Sequence, residues 1–245
     1  VILVSKAGIL PTTRSLSKRI SDKAVTILRK APPLQSVLKA PKAAEPVFDV
    51  FDVPRLRASV ERSLKELRTD YLDALLLHEC TSGTAADPEI KDFAEDLVKQ
   101  GKIRAYGVAP RAEDALEMQR KGIAFGAILQ FANNVWEDNI SYIPPRSDRL
   151  LVTHSVLGFR FKYVVDKLSM DKAAAERWRA QLDVEPSDVD SVAGLFLRQA
   201  IQANASGIVL FSTTNPERIR KNLRALEKPM SADEARMLKE LAHVL

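Results

Sequence analysis

One cysteine, Cys80, in 245 residues leaves no partner for an internal disulfide. A disulfide-stapled fold is excluded, and a reducing compartment such as the cytoplasm is expected. Glycine is scarce at nine residues, and neither a GxGxxG nor a GxxxxGK(S/T) phosphate loop occurs. A dinucleotide-binding or P-loop start is therefore not visible. No apolar run reaches the roughly 20 residues that span a bilayer, so no membrane partner is expected. Histidine is limited to positions 78, 154 and 243, and no two of them have metal-ligand spacing, so no metal is expected. Aromatic residues make up 6% of the chain, and none lies between residues 9 and 47.

That gap matters because the same stretch carries the positive charge. Residues 1–50 hold nine Lys/Arg and three acids, whereas the remainder is nearly balanced. A nucleic-acid-binding face interleaves aromatics with its charge, so nucleic acid is not an expected partner. With 46% hydrophobic and 28% charged residues, the composition is that of a folded domain rather than a disordered chain. The chain opens directly on the apolar run Val1-Ile2-Leu3-Val4. A buried strand rarely begins a natural protein, so residues upstream of Val1 are expected.

Apolar runs alternate with helical spacings along nearly the whole chain. Strands are expected at 1–5, 71–77, 103–108, 127–131, 150–155 and 207–211. Asp52 reads as a helix cap with Pro54 just inside, followed by Val53, Leu56, Val60, Leu64 and Leu67 at helical intervals. Further helices are expected at 89–99, 112–120, 189–204 and 216–226, and from the Ser231/Glu234 capping box to Leu245. Residues 15–29 carry a loose helical spacing, which prolines 32, 33, 41 and 46 then interrupt. The strand runs are continuously apolar, which signals a parallel sheet buried on both faces. Six strands are two fewer than a (β/α)8 barrel contains.

In a parallel barrel the functional side chains come from the carboxyl ends of the strands. That rule selects Lys6, His78, Gln130, His154 and Ser155, and the segment 212–218. A half-desolvated lysine can hold a carboxylate or lower a neighbour's pKa, and an imidazole can polarise a carbonyl. Lys6 as a surface lysine and His78 as a hydrogen-bonded structural residue are the competing readings. Thr213-Thr214-Asn215-Pro216-Glu217-Arg218 opens a helix whose N-terminus suits phosphate. A plain capped start would need Asn215 and Pro216 but not Arg218. Cys80 reads as incidental rather than nucleophilic. Asp70 and Asp73 lie at the start of their strand, away from the mouth, which argues against a glycosidase pair.

The stretch Ser63–His78, SLKELRTDYLDALLLH, closely resembles the aldo/keto reductase signature SLxxLxxDYxDLxLxH. Lys99–Val108 resembles that family's GKIRxxGVS strand, Val4-Ser5-Lys6 its TK strand end, and Val209–Leu223 its C-terminal cofactor segment. The four matches are collinear. The resemblance implies a (β/α)8 TIM barrel in which residues 1–245 form a single domain, with a long basic loop at 9–49. It implies reduction of an aldehyde or ketone, a small carbonyl substrate, with NADPH. The family's catalytic tetrad is Asp, Tyr, Lys and His, in which the Tyr donates the proton. Lys6 matches its lysine and His78 its histidine. Gln130 matches the glutamine that contacts the nicotinamide amide, and Ser155 and Leu157 fall in a segment bordering the cofactor. His154 stands where a tyrosine usually stacks on the nicotinamide. Ser212, Thr213 and Thr214 fall in the cofactor segment, and Arg218 and Asn222 match the residues that hold the adenosine phosphate and adenine.

The departures are specific. No Asp and Tyr, and no pair of βα units to carry them, stand before Lys6. Ala109-Pro110 replaces a Ser and an Asn, Lys221 a Glu, and Ser212 a Lys. Removing two strands from a barrel opens two sheet edges. The chain is therefore expected to be a truncated piece of a longer reductase, with a shortened natural homologue as the second possibility. A cofactor- or partner-binding protein with impaired chemistry, or an inactive remnant, is the alternative function. In the first reading the basic loop lies at the barrel mouth, where its charge steers an anionic cofactor. In the other it is a solvated loop.

Overall fold

The expected strand runs form one sheet of six parallel strands whose spatial order is their sequence order. They are β1 (Val4–Ala7), β2 (Leu72–His78), β3 (Ile103–Ala109), β4 (Ile128–Ala132), β5 (Leu150–His154) and β6 (Ile208–Val209). The computed structural model describes residues 1–10 and 46–245, so the helix expected over 15–29 and most of the basic loop lie outside the described residues. A doubly wound sheet reverses its strand order midway. Here every connection steps to the next strand in the same direction, as in the wall of a barrel. Within the described sheet β1 and β6 are the edges.

The middle four strands lie within one residue of expectation at each end, and β1 and β6 differ by more. β1 begins at Val4 rather than Val1, so Lys6 lies inside the strand instead of after it. Leu3 is tied to the start of β2: its N–H donates to the Asp73 carboxylate at 2.8 Å, and its carbonyl accepts from the Asp73 and Ala74 N–H groups. β6 shrinks to Ile208–Val209, although the Leu210 N–H still donates to the Thr153 carbonyl at 2.8 Å. The base of the basic loop is closed by an antiparallel bridge between Leu10 and Val47.

The helices follow their caps. In α1 (Val53–Leu67) the Asp52 carboxylate accepts from the Arg55 N–H at 3.0 Å. α2 (Ser82–Ala86) is one short turn, and α3 (Pro88–Lys99) starts on Asp87. α4 (Ala112–Lys121) stops at Gly122, whose φ of 66° suits a residue without Cβ. Two helices between β5 and residue 189 were not anticipated, α5 (Phe159–Met170) and α6 (Lys172–Leu182). The signal for α6 is present in the sequence: Asp171 caps it, and Ala174, Trp178 and Leu182 form a stripe at four-residue intervals. α7 (Val189–Ala203), α8 (Pro216–Ala225) and α9 (Ala232–His243) complete the chain.

Two apolar clusters hold these elements. The first lies where Leu56, Val60 and Leu64 of α1 and Phe93 and Leu97 of α3 meet Leu75, Leu77 and Ile103 of the sheet. The second is built by helices, with Leu168, Trp178, Leu195, Phe196, Leu238 and Leu241 among its members. Phe196 stacks with Trp136 at 5.4 Å and Trp178 at 6.2 Å between ring centres, and meets Phe161 edge-on at 5.5 Å. The Asn204 amide joins the helical half to the sheet, donating to the carbonyls of Leu151 and Ile208. At the β3–β4 seam Gly107 is required by space, since a Cβ there would lie 2.1 Å from the Ile128 carbonyl oxygen.

Candidate active site

Successive strands deliver one polar residue after another to the same end of the sheet. Lys6 comes from β1, His78 ends β2, Gln130 lies in β4 and His154 ends β5. With Glu79, Ala109, Pro110 and Arg111 they line one cavity of about 420 Å³. In-register parallel pairing produces this convergence: His78 pairs with Ala109, and Gln130 with Val152.

Both histidines are followed by a non-glycine residue in the left-handed region, Glu79 at φ 53° and Ser155 at φ 70°. Such residues cost about 1–3 kcal/mol each and persist only where their surroundings enforce them. For Glu79 those surroundings are visible. Its N–H donates to the Ala109 carbonyl at 2.8 Å, and Arg111 donates twice to its carboxylate, at 3.0 and 3.2 Å. The Ser155 hydroxyl shares a 2.8 Å hydrogen bond with His154 Nδ1.

The three basic groups feel one another. Burial lowers the Lys6 ammonium's pKa, against the opposing pull of Glu79. Burial lowers His78 as well, the Lys6 charge adds to the effect, and Glu79 opposes it. His154 is lowered by burial, then by Lys6 and His78, with Glu137 opposing. A cavity lined by a half-buried ammonium and two imidazoles suits an oxygen atom that is gaining negative charge.

Cys80 is fully buried in the first apolar cluster, and burial pushes its thiol up to about 12. That environment is inert. All four tyrosines lie among the described residues, and none lines the cavity. Tyr71 sits beneath the Arg104 guanidinium at 4.1 Å, Tyr106 packs edge-on against Phe125, Tyr142 is exposed, and the Tyr163 hydroxyl donates to the Leu245 carbonyl. His243 lies on the surface of α9 with its Nδ1 at 2.7 Å from the Lys239 carbonyl.

A second cavity, of about 570 Å³, lies where the segments after β5 and β6 meet α7 and α8. It collects Leu157, Ser212, Thr213, Arg218 and Asn222 from among the expected residues; Ser155 and Thr214 line neither cavity. Leu157, Phe161, Val189 and Ala193 make an apolar wall. The Asn222 side chain is buried, at 8% exposure, and makes no hydrogen bond among the described residues.

One expectation about this cavity needs correction. The first-turn N–H groups of α8 are not available to a phosphate. Pro216 has none, the Glu217 N–H donates to the Asn215 side chain at 2.9 Å, and the Arg218 N–H donates to the Asn215 carbonyl at 3.1 Å. An anion here would be held by side chains. The sequence also gave no sign that Asp190 and Lys221 line this cavity together, because they come from different helices. Among the described residues no group of three His, Cys, Asp or Glu could hold a metal ion, and no helix is long and apolar enough to cross a membrane.

Comparisons with known proteins agree with this architecture. The chain is 25% identical over 223 residues to rho crystallin of Rana temporaria, covering 78% of this chain and 65% of that one. It is 51% identical over 49 residues to methylglyoxal reductase YeaE of Escherichia coli strain K12, covering 20% of this chain and 16% of the relative. The chain thus spans less than two thirds of these relatives. Its fold superposes on the holo form of an aldo-keto reductase from Bacillus halodurans with a TM-score of 0.64 at 18% identity, covering 98% of this chain and 72% of that one. A glycerol dehydrogenase from Gluconobacter oxydans gives a TM-score of 0.62 at 18% identity, covering 84% and 68%. These likenesses establish a TIM-barrel-like α/β fold, incomplete at six described strands. The aldo/keto reductase family model matches residues 16–145, more than half of the sequence. On that match and the shared fold, this chain belongs to the aldo/keto reductase family.

Proposed function

We propose that this chain carries the carbonyl and cofactor sites of an NADPH-linked reductase acting on an aldehyde or ketone. The observation that carries the reading is the convergence of Lys6, His78, Gln130 and His154 in one cavity at the carboxyl ends of the strands. The second cavity fits the far half of a dinucleotide. It has an apolar wall, two cations, and a buried Asn222 amide with no hydrogen-bond partner among the described residues. The Asn222 amide is not among the fully buried atoms left without a partner, so it is reached through the cavity, where the polar edge of a purine would bond to it. Residues 1–245 are read as one barrel domain of a cytoplasmic protein.

NADPH, when bound, supplies a hydride. Gln130 and His154 would hold its nicotinamide end, with Ser155 hydrogen-bonded to His154 behind it, and Leu157, Ser212, Thr213, Arg218 and Asn222 would hold its adenosine end. His78, neutral at neutral pH because of burial, donates a hydrogen bond to the carbonyl oxygen and orients it. The neighbouring Lys6 favours negative charge on that oxygen, and the proton that completes the alcohol would come from water or from a donor outside the residues lining this cavity. The apolar faces of Ala109 and Pro110 exclude water from one side of the cavity.

A second reading is a cofactor- or partner-binding protein with impaired chemistry. It is favoured by the absence of any of the four tyrosines from the mouth cavity, and by Ala109-Pro110 in its wall. One experiment separates the two. NADPH binding is followed by fluorescence titration, and oxidation of NADPH is then followed with a panel of small aldehydes. The first reading expects turnover that Lys6→Met reduces at least 100-fold, roughly the scale of a lost acid–base contribution, with NADPH binding retained. Unchanged turnover in Lys6→Met refutes it. Binding without turnover establishes the second reading for these 245 residues.

A further inference from the structure

Arg218 and Lys221 are the two cations lining the second cavity, and Asp190 and Glu217 are its two acids. Glu217 is paired with Arg220 on its own helix. Asp190, near the start of α7, is paired across the helices with Lys221 of α8, Nζ to Oδ2 at 2.5 Å. Arg218 makes no ion pair among the described residues. The backbone of the first α8 turn is already hydrogen-bonded, as shown above, so anion affinity in this cavity falls to these side chains. The Asn222 side chain, 8% exposed, lines the same cavity as these charged groups, and no hydrogen bond from its amide is formed among the described residues.

The Asp190–Lys221 pair is built to exchange. Both side chains are substantially solvated, at 37% and 54% exposure, and exposed ion pairs are held weakly. The groups facing Lys221 are Asp190, Asp188 and Glu217, and their negative charge keeps it protonated. A carboxylate offers Lys221 one negative charge. A phosphate monoester offers close to two and adds acceptors for Arg218.

We propose that Lys221 is a specificity-determining residue for the nucleotide, exchanging Asp190 for the phosphate monoester of the ligand and closing on it together with Arg218. The inference rests on the nucleotide-binding reading above. It assigns selectivity for a phosphorylated adenosine ribose to a lysine that the unliganded fold holds in reserve. Asp190 sets the threshold: a ligand without the extra phosphate cannot displace it and gains nothing from Lys221.

The test is calorimetric titration of the 245-residue chain with NADPH and, separately, with NADH. The parent chain is expected to bind NADPH more tightly. Lys221→Met should weaken NADPH by about tenfold and leave NADH unchanged, the scale of one charge-assisted contact. Asp190→Asn should tighten NADPH severalfold without affecting NADH, and Lys221→Arg should restore most of the preference. Thermal melts of each variant separate loss of fold from loss of contact. Lys221→Met lowering both nucleotides equally, or neither, overturns the proposal while leaving the nucleotide site intact. A folded parent chain that binds neither nucleotide overturns the nucleotide reading itself, and this inference with it.

Discussion

The two cavities are made differently. The first is made by strand ends: Lys6, His78, Gln130 and His154 reach it because four strands lie in parallel register. The second is made by helices and the segments that precede them, and its charged pair joins α7 to α8. Burial dominates the first, where an ammonium and two imidazoles are all pushed toward their neutral forms. Solvated ion pairs dominate the second. A strand-built site inherits its geometry from backbone pairing. A helix-built site depends on how helices dock, which in this chain means the aromatic cluster around Phe196.

That dependence gives the largest expected effect. Trp178 is fully buried, stacks on Phe196, and through it supports Phe161 in the wall of the second cavity. Trp178→Ala should cost about 3–5 kcal/mol in chemical unfolding and weaken NADPH binding. An unfolding midpoint equal to the parent's would break the claim that the helical half rests on this stack. The matching lesion in the strand-built half is Gly107→Ala. Its Cβ would press on the Ile128 carbonyl, and β3 and β4 pair at only two positions there. A backbone neighbour cannot swing away, so a loss of about 1–3 kcal/mol is expected, with turnover reduced because His78 pairs with Ala109 on the displaced strand.

A pH series sharpens the electrostatic contrast. His78 and His154 both have folded pKa values below the ordinary 6.5. The unfolded chain therefore takes up protons below that pH which the folded chain resists. The stability these two histidines contribute is present above 6.5 and is lost as the pH falls below it. Melting temperature should drop on acidification from about pH 8 to about pH 5, and His78→Gln/His154→Gln should flatten that part of the curve. A double variant with the parent's slope would remove the burial argument. The smallest effect is expected at Asn222. Asn222→Leu removes an amide that opens onto the second cavity, so stability should change by less than about 1 kcal/mol while nucleotide affinity falls. A larger stability loss would mean that the amide is bonded within the fold, and unchanged affinity would remove Asn222 from the nucleotide site.

The strands, the capped helices and the residues ending each strand were legible because each is written in adjacent residues. Continuous apolar runs mark parallel strands, Asp52 and Asn215 mark helix starts, and His78 and His154 each close an apolar run. The signature around Ser63–His78 added the family. Where reading fell short, the deciding contact was distant. β1 starts at Val4 because Asp73, seventy positions on, captures Leu3. α5 starts on Gly158 with no side-chain cap to mark it, whereas α6 carries its mark in Asp171.

The sequence by itself determined which segments become strands or helices and which polar residues stand at their ends, because periodicity and capping act over a few neighbouring residues. Only the tertiary structure decided which of those residues share a cavity, that the first turn of α8 keeps its own N–H groups, and that Lys221 faces Asp190 across 31 positions. Ion pairing and burial depend on distance in space, and no local pattern in the chain encodes it.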